Sequence, residues 1–430
     1  MRIEKIDLKN VGPFAEETIE FQPVPNTEKK AEVHVFTGPN GSGKSTLLYA
    51  LAAAFTPDSQ IGDMLKRFHD IKDSFIKVNC NGDTYSLLGT NFQSDRDGIQ
   101  HVGHLGFGLY KSLVLAASQS KDISPSLDYA CFAYSGNRNI SHTKVETIKE
   151  INTNPLHESL VFNKTIKNQV NQWLANMIAK EAIANQNNKT EAAKGYRQNI
   201  ASLENVISEL MKEDVRFELE TEPADIVLRK NGTALDFDVL PDGLKSIISW
   251  LGDLLMRLDR LPWENNTPIL QRNILLFLDE IEIHLHPKWQ MKILPIMQKL
   301  LPNAQIFIST HSPFVVNSVD GAWIYKLVLD EHGVSTCKPP VLSETGKSYS
   351  YILDEIFDVE ERFGLETEQQ LDDFYKMRDD IFAGKTIDKK EFTTLVNKLL
   401  KEGIEVQQII GHELRQIKRI TQKEFSYDEN

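Results

Sequence analysis

Apolar residues along this 430-residue chain change their spacing several times, and each change marks a different kind of element. Arg2 to Leu8 alternates with period two, as does the stretch around Thr18 to Phe21, and both predict strands about a turn at Asn10–Phe14. Glu32 to Thr37 predicts a third strand that runs into a glycine-rich loop, and Ser45 to Phe55 predicts a helix after it. Phe75–Leu88 reads as a hairpin turning at Asn81-Gly82, and Asp128–Tyr134 as a buried strand. From about His142 to Met211 the pattern is helical and polar, broken by an Asn-rich stretch at Asn185–Asn188, and too poor in heptads for a long coiled-coil arm.

Arg216 to Phe237 returns to strands, with a turn at Asn231-Gly232. From Gly243 an amphipathic helix places Leu244, Ile247, Ile248, Leu251, Leu254 and Leu255 on one face. Ile274–Leu278 and Gln305–Ile308 are short, predominantly apolar runs of the kind found inside a parallel sheet. After residue 345 the pattern is helical: Thr367 opens a helix that Gly384 stops, and others follow around Glu391–Leu400 and Glu405–Lys418. The apolar stripes there, Leu371 to Phe382 and Phe392 to Leu400, suit a small bundle and a partner-docking surface equally well.

Composition narrows the class. Hydrophobic residues make up 41% and charged ones 25%, ordinary for a globular protein. The formal net charge of −13 provides no global basic field for nucleic acid. Three scattered cysteines (Cys80, Cys131, Cys337) indicate neither a disulfide framework nor a zinc knuckle, as in a reducing compartment. The first residues lack the apolar stretch of a signal peptide, and no run reaches the about 18 apolar residues of a membrane span. A cytoplasmic protein that does not cross a membrane is expected.

Candidate chemistry falls at three strand ends. Gly38-Pro39-Asn40-Gly41-Ser42-Gly43-Lys44-Ser45, followed by Thr46, satisfies the P-loop pattern in its strand–loop–helix context. Glycines let backbone N–H groups surround phosphates, Lys44 reaches the β- and γ-phosphates of ATP, and the Ser45 hydroxyl ligates Mg²⁺. Ile274–Leu278 delivers Asp279 and Glu280 to its C-terminal edge, Asp279 to hold Mg²⁺ and Glu280 to act as general base on the attacking water. The next apolar strand ends in Ser309-Thr310-His311, where His311 can hydrogen-bond the γ-phosphate. Glu282, His284 and His286 crowd the segment after Glu280, and a metal site is weighed there against a dimer-contact loop.

These elements, in this order, resemble the ABC-type ATPases of the SMC/RecF branch, and Ile6–Phe14 looks like that branch's opening strand. The resemblance implies an α/β fold: an ABC-type P-loop ATPase head with a mixed sheet, an antiparallel N-terminal β subdomain and a helical insertion, plus an all-α C-terminal tail. The expected divisions are an N-terminal lobe over 1–140, the insertion over 141–212, a C-terminal lobe over 213–344, and the tail over 345–430. It also implies a signature segment at Leu240–Ser246, whose Asp242, Gly243, Lys245 and Ser246 would cap the nucleotide of a second protomer in a head-to-head dimer. Two positions depart from the family. Pro241 stands where serine is usual, and Asn137 occupies the glutamine-loop position with a shorter amide.

Asn303–Pro313 and Phe277–Pro287 look like the compact ATPases of bacterial defence operons, with neither a Toprim nor a His-Asn-His nuclease constellation in the chain. A compact ATPase with a helical tail is similar to the PtuA family of Septu anti-phage systems, which implies an HNH-type nuclease partner (PtuB-like) supplied in trans, and contact with nucleic acid through that complex. Two alternatives stand beside it: a RecF-like DNA-repair ATPase, and a nucleotide-sensing scaffold with little turnover, the latter motivated by Pro241 and Asn137.

Overall fold

The computed structural model describes residues 1–24, 30–57, 64, 66–69, 73–88, 105–117, 126–135, 144–145, 147–162, 169–222, 224–344, 346–359 and 361–422. The chain divides into two compact units, Met1–Ile352 and Leu353–Asn430.

The first unit is built on parallel strands. β3 (Glu32–Thr37), β6 (Tyr129–Tyr134), β10 (Asn273–Leu278) and β11 (Ala304–Ser309) lie in the order β3-β11-β10-β6, all parallel. Val33, Val35 and Phe36 of β3, Leu275–Leu278 of β10 and Ile306–Ile308 of β11 are wholly buried, as strands covered on both faces must be. β12 (Trp323–Leu329) continues the sheet parallel to β3, and the short β13 (Ser335–Cys337) and β14 (Val341–Leu342) pair antiparallel to it. The sheet is therefore mixed, as the resemblance implies.

A second, antiparallel sheet has the order β2-β1-β4-β5, from β1 (Ile3–Val11), β2 (Phe14–Glu20), β4 (Phe75–Cys80) and β5 (Asp83–Leu88). A third follows the insertion, β7 (Val215–Thr221), β8 (Ala224–Lys230) and β9 (Thr233–Leu235). Helix α1 (Lys44–Ala53) leaves the P-loop, and α2 (Leu105–Ala116) precedes β6. The insertion contains α3 (Val170–Gln186) and α4 (Thr190–Met211), packed against each other and against α5 (Asp242–Arg260). Among the described residues of this region, helix begins at Val170 and not near His142; residues 147–162 form turns through Asn154-Pro155, and proline interrupts helical hydrogen bonding. α6 (Pro287–Leu300) and the short α7 (Pro313–Val316) follow β10 and β11.

The second unit contains its own core. α8 is Tyr349–Phe357, and α9 (Leu365–Phe382), α10 (Lys389–Leu399) and α11 (Ile404–Thr421) pack Leu371, Phe374, Phe392, Val396, Leu399, Ile410 and Ile417 together. Both apolar stripes of the sequence thus meet one another. α9 begins two residues before Thr367, at Leu365. Among the described residues, no helix is long and apolar enough to cross a membrane.

A polar cluster joins the two large sheets at the start of β1. The Gln305 side chain of β11 accepts the Ile3 N–H at 2.7 Å and donates back to the Ile3 carbonyl at 2.9 Å, imitating a ladder partner. It also donates to Glu32 at 3.0 Å, which receives Arg2 through Nε and Nη2 and lies 2.7 Å from Nε2 of the fully buried His34. Burial lowers the His34 pKa, so the ring is neutral. Burial alone would raise Glu32, but hydrogen bonds from His34 and Arg2 outweigh it and hold the carboxyl below its usual range. Both shifts place extra protons on the unfolded chain at low pH, so the stability they contribute is present near neutrality and lost on acidification. Glu32→Ala is expected to cost about 2–4 kcal/mol in urea unfolding, because it removes the carboxylate that His34, Arg2 and Gln305 share. Wild-type stability should fall as pH drops through about 6.5 and again through the carboxylate range, and the upper step should shrink in His34→Phe.

Candidate functional site

The register of the central sheet sets the site. Leu278 pairs with Ile308 on one side and Tyr134 on the other, and Ser309 pairs with Phe36, so four strands end at one level. The Asp279 N–H donates to the Tyr134 carbonyl at 2.9 Å and the Thr310 N–H to Phe36 at 3.1 Å, carrying the ladder one step beyond the strands. Residues distant in sequence thereby arrive side by side.

The loop after β3 depends on glycine. Gly38 has φ +143°, and a Cβ there would stand 2.2 Å from the Leu327 carbonyl oxygen. Gly43 has φ +91°, and a Cβ would meet Phe14 and Pro13 of the β1–β2 turn at 2.6 and 2.7 Å. Pro39, Asn40 and Gly41 are exposed, whereas the Ser42 hydroxyl is buried. Ser335 of β13 donates to the Ser42 carbonyl at 2.7 Å, tying the sheet edge to the loop. Thr46 is 8% exposed and packs against Gly12 of the same β1–β2 turn.

Lys44 lies over its own loop, donating to the carbonyls of Gly38 and Pro39, both at 2.9 Å. Burial lowers its pKa to about 8, although Glu280 and Asp279 pull the other way. Asp279 gathers hydroxyls: Ser45 Oγ donates to Oδ1 at 3.0 Å, and Ser309 Oγ donates to the same oxygen. Glu280 follows in the left-handed region at φ +49°, its N–H donating to Ser309 Oγ at 2.9 Å. Burial, and then the neighbouring Asp279, raise the Glu280 pKa, with Lys44 opposing. His311 is exposed, and partial desolvation and then Lys44 lower its pKa, with Asp279 opposing. The structure thus brings together Lys44, Ser45, Asp279, Glu280 and His311 from three separate segments.

The signature segment is placed elsewhere. Gly243 lies against the His284 carbonyl, where a Cβ would come within 2.5 Å. Lys245 Nζ donates to the Asp238 carbonyl at 2.9 Å, Asp242 is largely exposed, and Ser246 is 2% exposed. Pro241 and Asp242 therefore form the outward face, and the Ser246 side chain is turned into the fold. Asn137 lies outside the described residues. His286 Nδ1 accepts the Lys288 N–H at 3.2 Å and caps α6, and His284 is exposed at φ +65°. No group of three His, Cys, Asp or Glu side chains suited to a metal ion occurs among the described residues. Ser309 enters the site unanticipated. Only its place as the last residue of an apolar strand, beside the strand that ends at Asp279, marks it in the sequence.

The residue types fit a magnesium nucleotide. Two hydroxyls converge on one carboxylate oxygen, an ammonium group stands beside backbone carbonyls, and the loop's exposed residues lead into the N-terminus of α1.

Residues 120–317 match a family model described as an AAA domain, putative AbiEii toxin of a type IV toxin–antitoxin system, and residues 1–194 match an AAA ATPase domain. The retron Ec83 probable ATPase of Escherichia coli is 23% identical over 84% of this chain and 77% of that protein. The retron Vc95 probable ATPase of Vibrio cholerae is 25% identical over 73% and 72%. The Septu protein PtuA of Bacillus thuringiensis is 28% identical over 28% of this chain and 31% of that protein. The glycine loop, the acidic strand end and the histidine strand end meet along one edge of a parallel sheet, and over the matched residues the chain resembles AAA-type ATPase domains, the retron ATPases and the Septu protein PtuA.

Proposed function

We propose that this chain binds and hydrolyses Mg²⁺–ATP between paired heads and serves as the regulatory ATPase of an anti-phage defence complex whose nuclease is supplied in trans. The observation that carries the ATPase reading is the meeting of Ser45 and Asp279 at 3.0 Å beside Lys44. Kinship with retron and PtuA ATPases supports the defence setting.

Bound Mg²⁺–ATP would supply the γ-phosphoryl electrophile and a divalent charge to offset its oxygens. Ser45 and Asp279 would hold the metal. Lys44 leaves its loop carbonyls for phosphate oxygens, which offer a stronger, charged acceptor. Glu280 takes a proton from the attacking water, a role for which its raised pKa suits it. His311 hydrogen-bonds the transferring phosphoryl group through a neutral ring, in keeping with its lowered pKa. In a head-to-head pair, Pro241, Asp242 and the α5 N-terminus of one protomer face the other's nucleotide. The Leu353–Asn430 unit is the candidate dock for the nuclease.

A second reading, a nucleotide sensor with little turnover, is favoured by one observation: Pro241 offers no hydroxyl, and the Ser246 side chain is buried. Robust multiple turnover by the isolated protein rejects it.

Lys44→Ala should reduce ATP affinity at least about 100-fold by calorimetry, whereas Glu280→Gln should bind normally and lose about 100-fold or more in single-turnover rate. Unchanged turnover in Glu280→Gln would remove the general-base assignment. A protonated Lys44 binds phosphate, and its pKa is about 8 in the chain without nucleotide. ATP affinity should accordingly hold below that pH and weaken above it, approaching about tenfold per unit. Deleting residues 353–430 should abolish co-purification with a co-expressed HNH-type nuclease that the full-length chain retains, and intact co-purification would place the dock elsewhere.

A further inference from the structure

The turn that carries Glu280 is linked to the histidine loop by a group with no role in the reading above. Ile281–His284 forms two tight turns, closed by Ile283 N–H to Glu280 O at 3.2 Å and Leu285 N–H to Glu282 O at 2.9 Å. Glu280 and His284 both sit in the left-handed region, at φ +49° and +65°, a conformation that side chains other than glycine adopt at a cost. Something must hold this turn.

Across from it, the His311 backbone N–H donates to Glu282 Oε1 at 2.6 Å. A backbone N–H bonded to an ionised carboxylate is charge-assisted and roughly twice as strong as a neutral bond. Two further links flank it. Glu280 N–H reaches Ser309 Oγ at 2.9 Å, and Ser312 Oγ donates to Gln290 Oε1 at 2.6 Å while Gln290 Nε2 donates to the Leu285 carbonyl at 2.8 Å. Those outer links hold Ser309 and Ser312. Glu282 takes the amide of His311 itself, between them.

We infer that Glu282 is a positioning residue, whose carboxylate holds the His311 backbone against the acidic turn so that the His311 ring and the Glu280 carboxylate keep one fixed spacing. The inference rests on the ATPase reading for its consequence, but the tether is a property of the chain alone. Glu282 does not touch the reacting atoms; it acts through His311. Burial raises the Glu282 pKa, and the His311 N–H opposes that rise first, followed by the residue's own N–H and the Thr310 hydroxyl.

Two measurements on the full-length protein test it together. Hydrogen exchange at the His311 amide should be slow in wild type, at least about tenfold faster in Glu282→Ala, and nearly wild type in Glu282→Gln, which retains an acceptor oxygen. ATP turnover should follow: kcat falls about 10- to 100-fold in Glu282→Ala with KM changed less than about threefold, and Glu282→Gln recovers most of it. A general loss of fold would instead lower the melting temperature and change KM and kcat alike, and Gln would not rescue it. An unprotected His311 amide in wild type, or equal exchange in all three proteins, overturns the tether. A tether that breaks in Glu282→Ala without loss of kcat overturns the positioning role. Absence of turnover in wild type, with the exchange pattern as expected, overturns the ATPase reading and leaves the tether standing.

Discussion

Everything at this site depends on the parallel hydrogen-bonded register of β3, β11, β10 and β6. Because Leu278 is level with both Ile308 and Tyr134, the next residue of β10 must emerge where β11 and β6 also end. Asp279 then has Ser309 on one side, the P-loop helix with Ser45 on the other, and the Tyr134 carbonyl beneath its own N–H. A slip of one residue in β10 would turn Asp279 to the opposite face and send Glu280 in its place. The predominantly apolar strands resist such a slip, since their side chains are buried on both faces.

The surrounding packing is equally unforgiving around the phosphate-binding loop. Gly38 is pressed against the Leu327 carbonyl and Gly43 against Phe14 and Pro13, so the loop is held between β12 and the β1–β2 turn. This explains why an antiparallel sheet belongs beside the parallel one: its first turn forms a wall of the loop. Gln305 and the Arg2–Glu32–His34 cluster join the two sheets at the other end of β1. A buried ionic group of this kind contributes little net energy when satisfied, but leaving one member unpaired is costly, so it specifies one relative placement of the sheets.

The acidic turn shows how charge is managed where several carboxylates meet. Asp279, Glu280 and Glu282 lie within four residues, and each has a different partner: hydroxyls for Asp279, Lys44 as a nearby cation for Glu280, and the His311 amide for Glu282. All three also act on the one nearby cation, Lys44, so it is their hydrogen-bond partners that distinguish them. They also leave Glu280 as the acid with the least direct support and a raised pKa, the condition a proton acceptor near neutral pH requires.

Much of this was legible in the sequence, for physical reasons. Short apolar runs such as Ile274–Leu278 and Ile306–Ile308 suit buried strands, so β10 and β11 were readable from local pattern, and the acids and histidine at their ends were marked by the abrupt change in polarity. The glycine loop announced itself because few other residues tolerate its backbone. Short-range patterning could not show the pairing of β13 and β14 with β12, the turns around Asn154-Pro155, or the burial of Ser246, since each depends on what packs against the segment. Ser309, Gln305 and Glu282 look like ordinary polar residues in the chain. Only the tertiary structure decides that one shares Asp279 with Ser45, another pairs with the Ile3 backbone, and the third holds the His311 amide. Local sequence determines which residues can form a strand, loop or helix; which side chains meet is settled by strand register, and that is a contact between segments hundreds of residues apart.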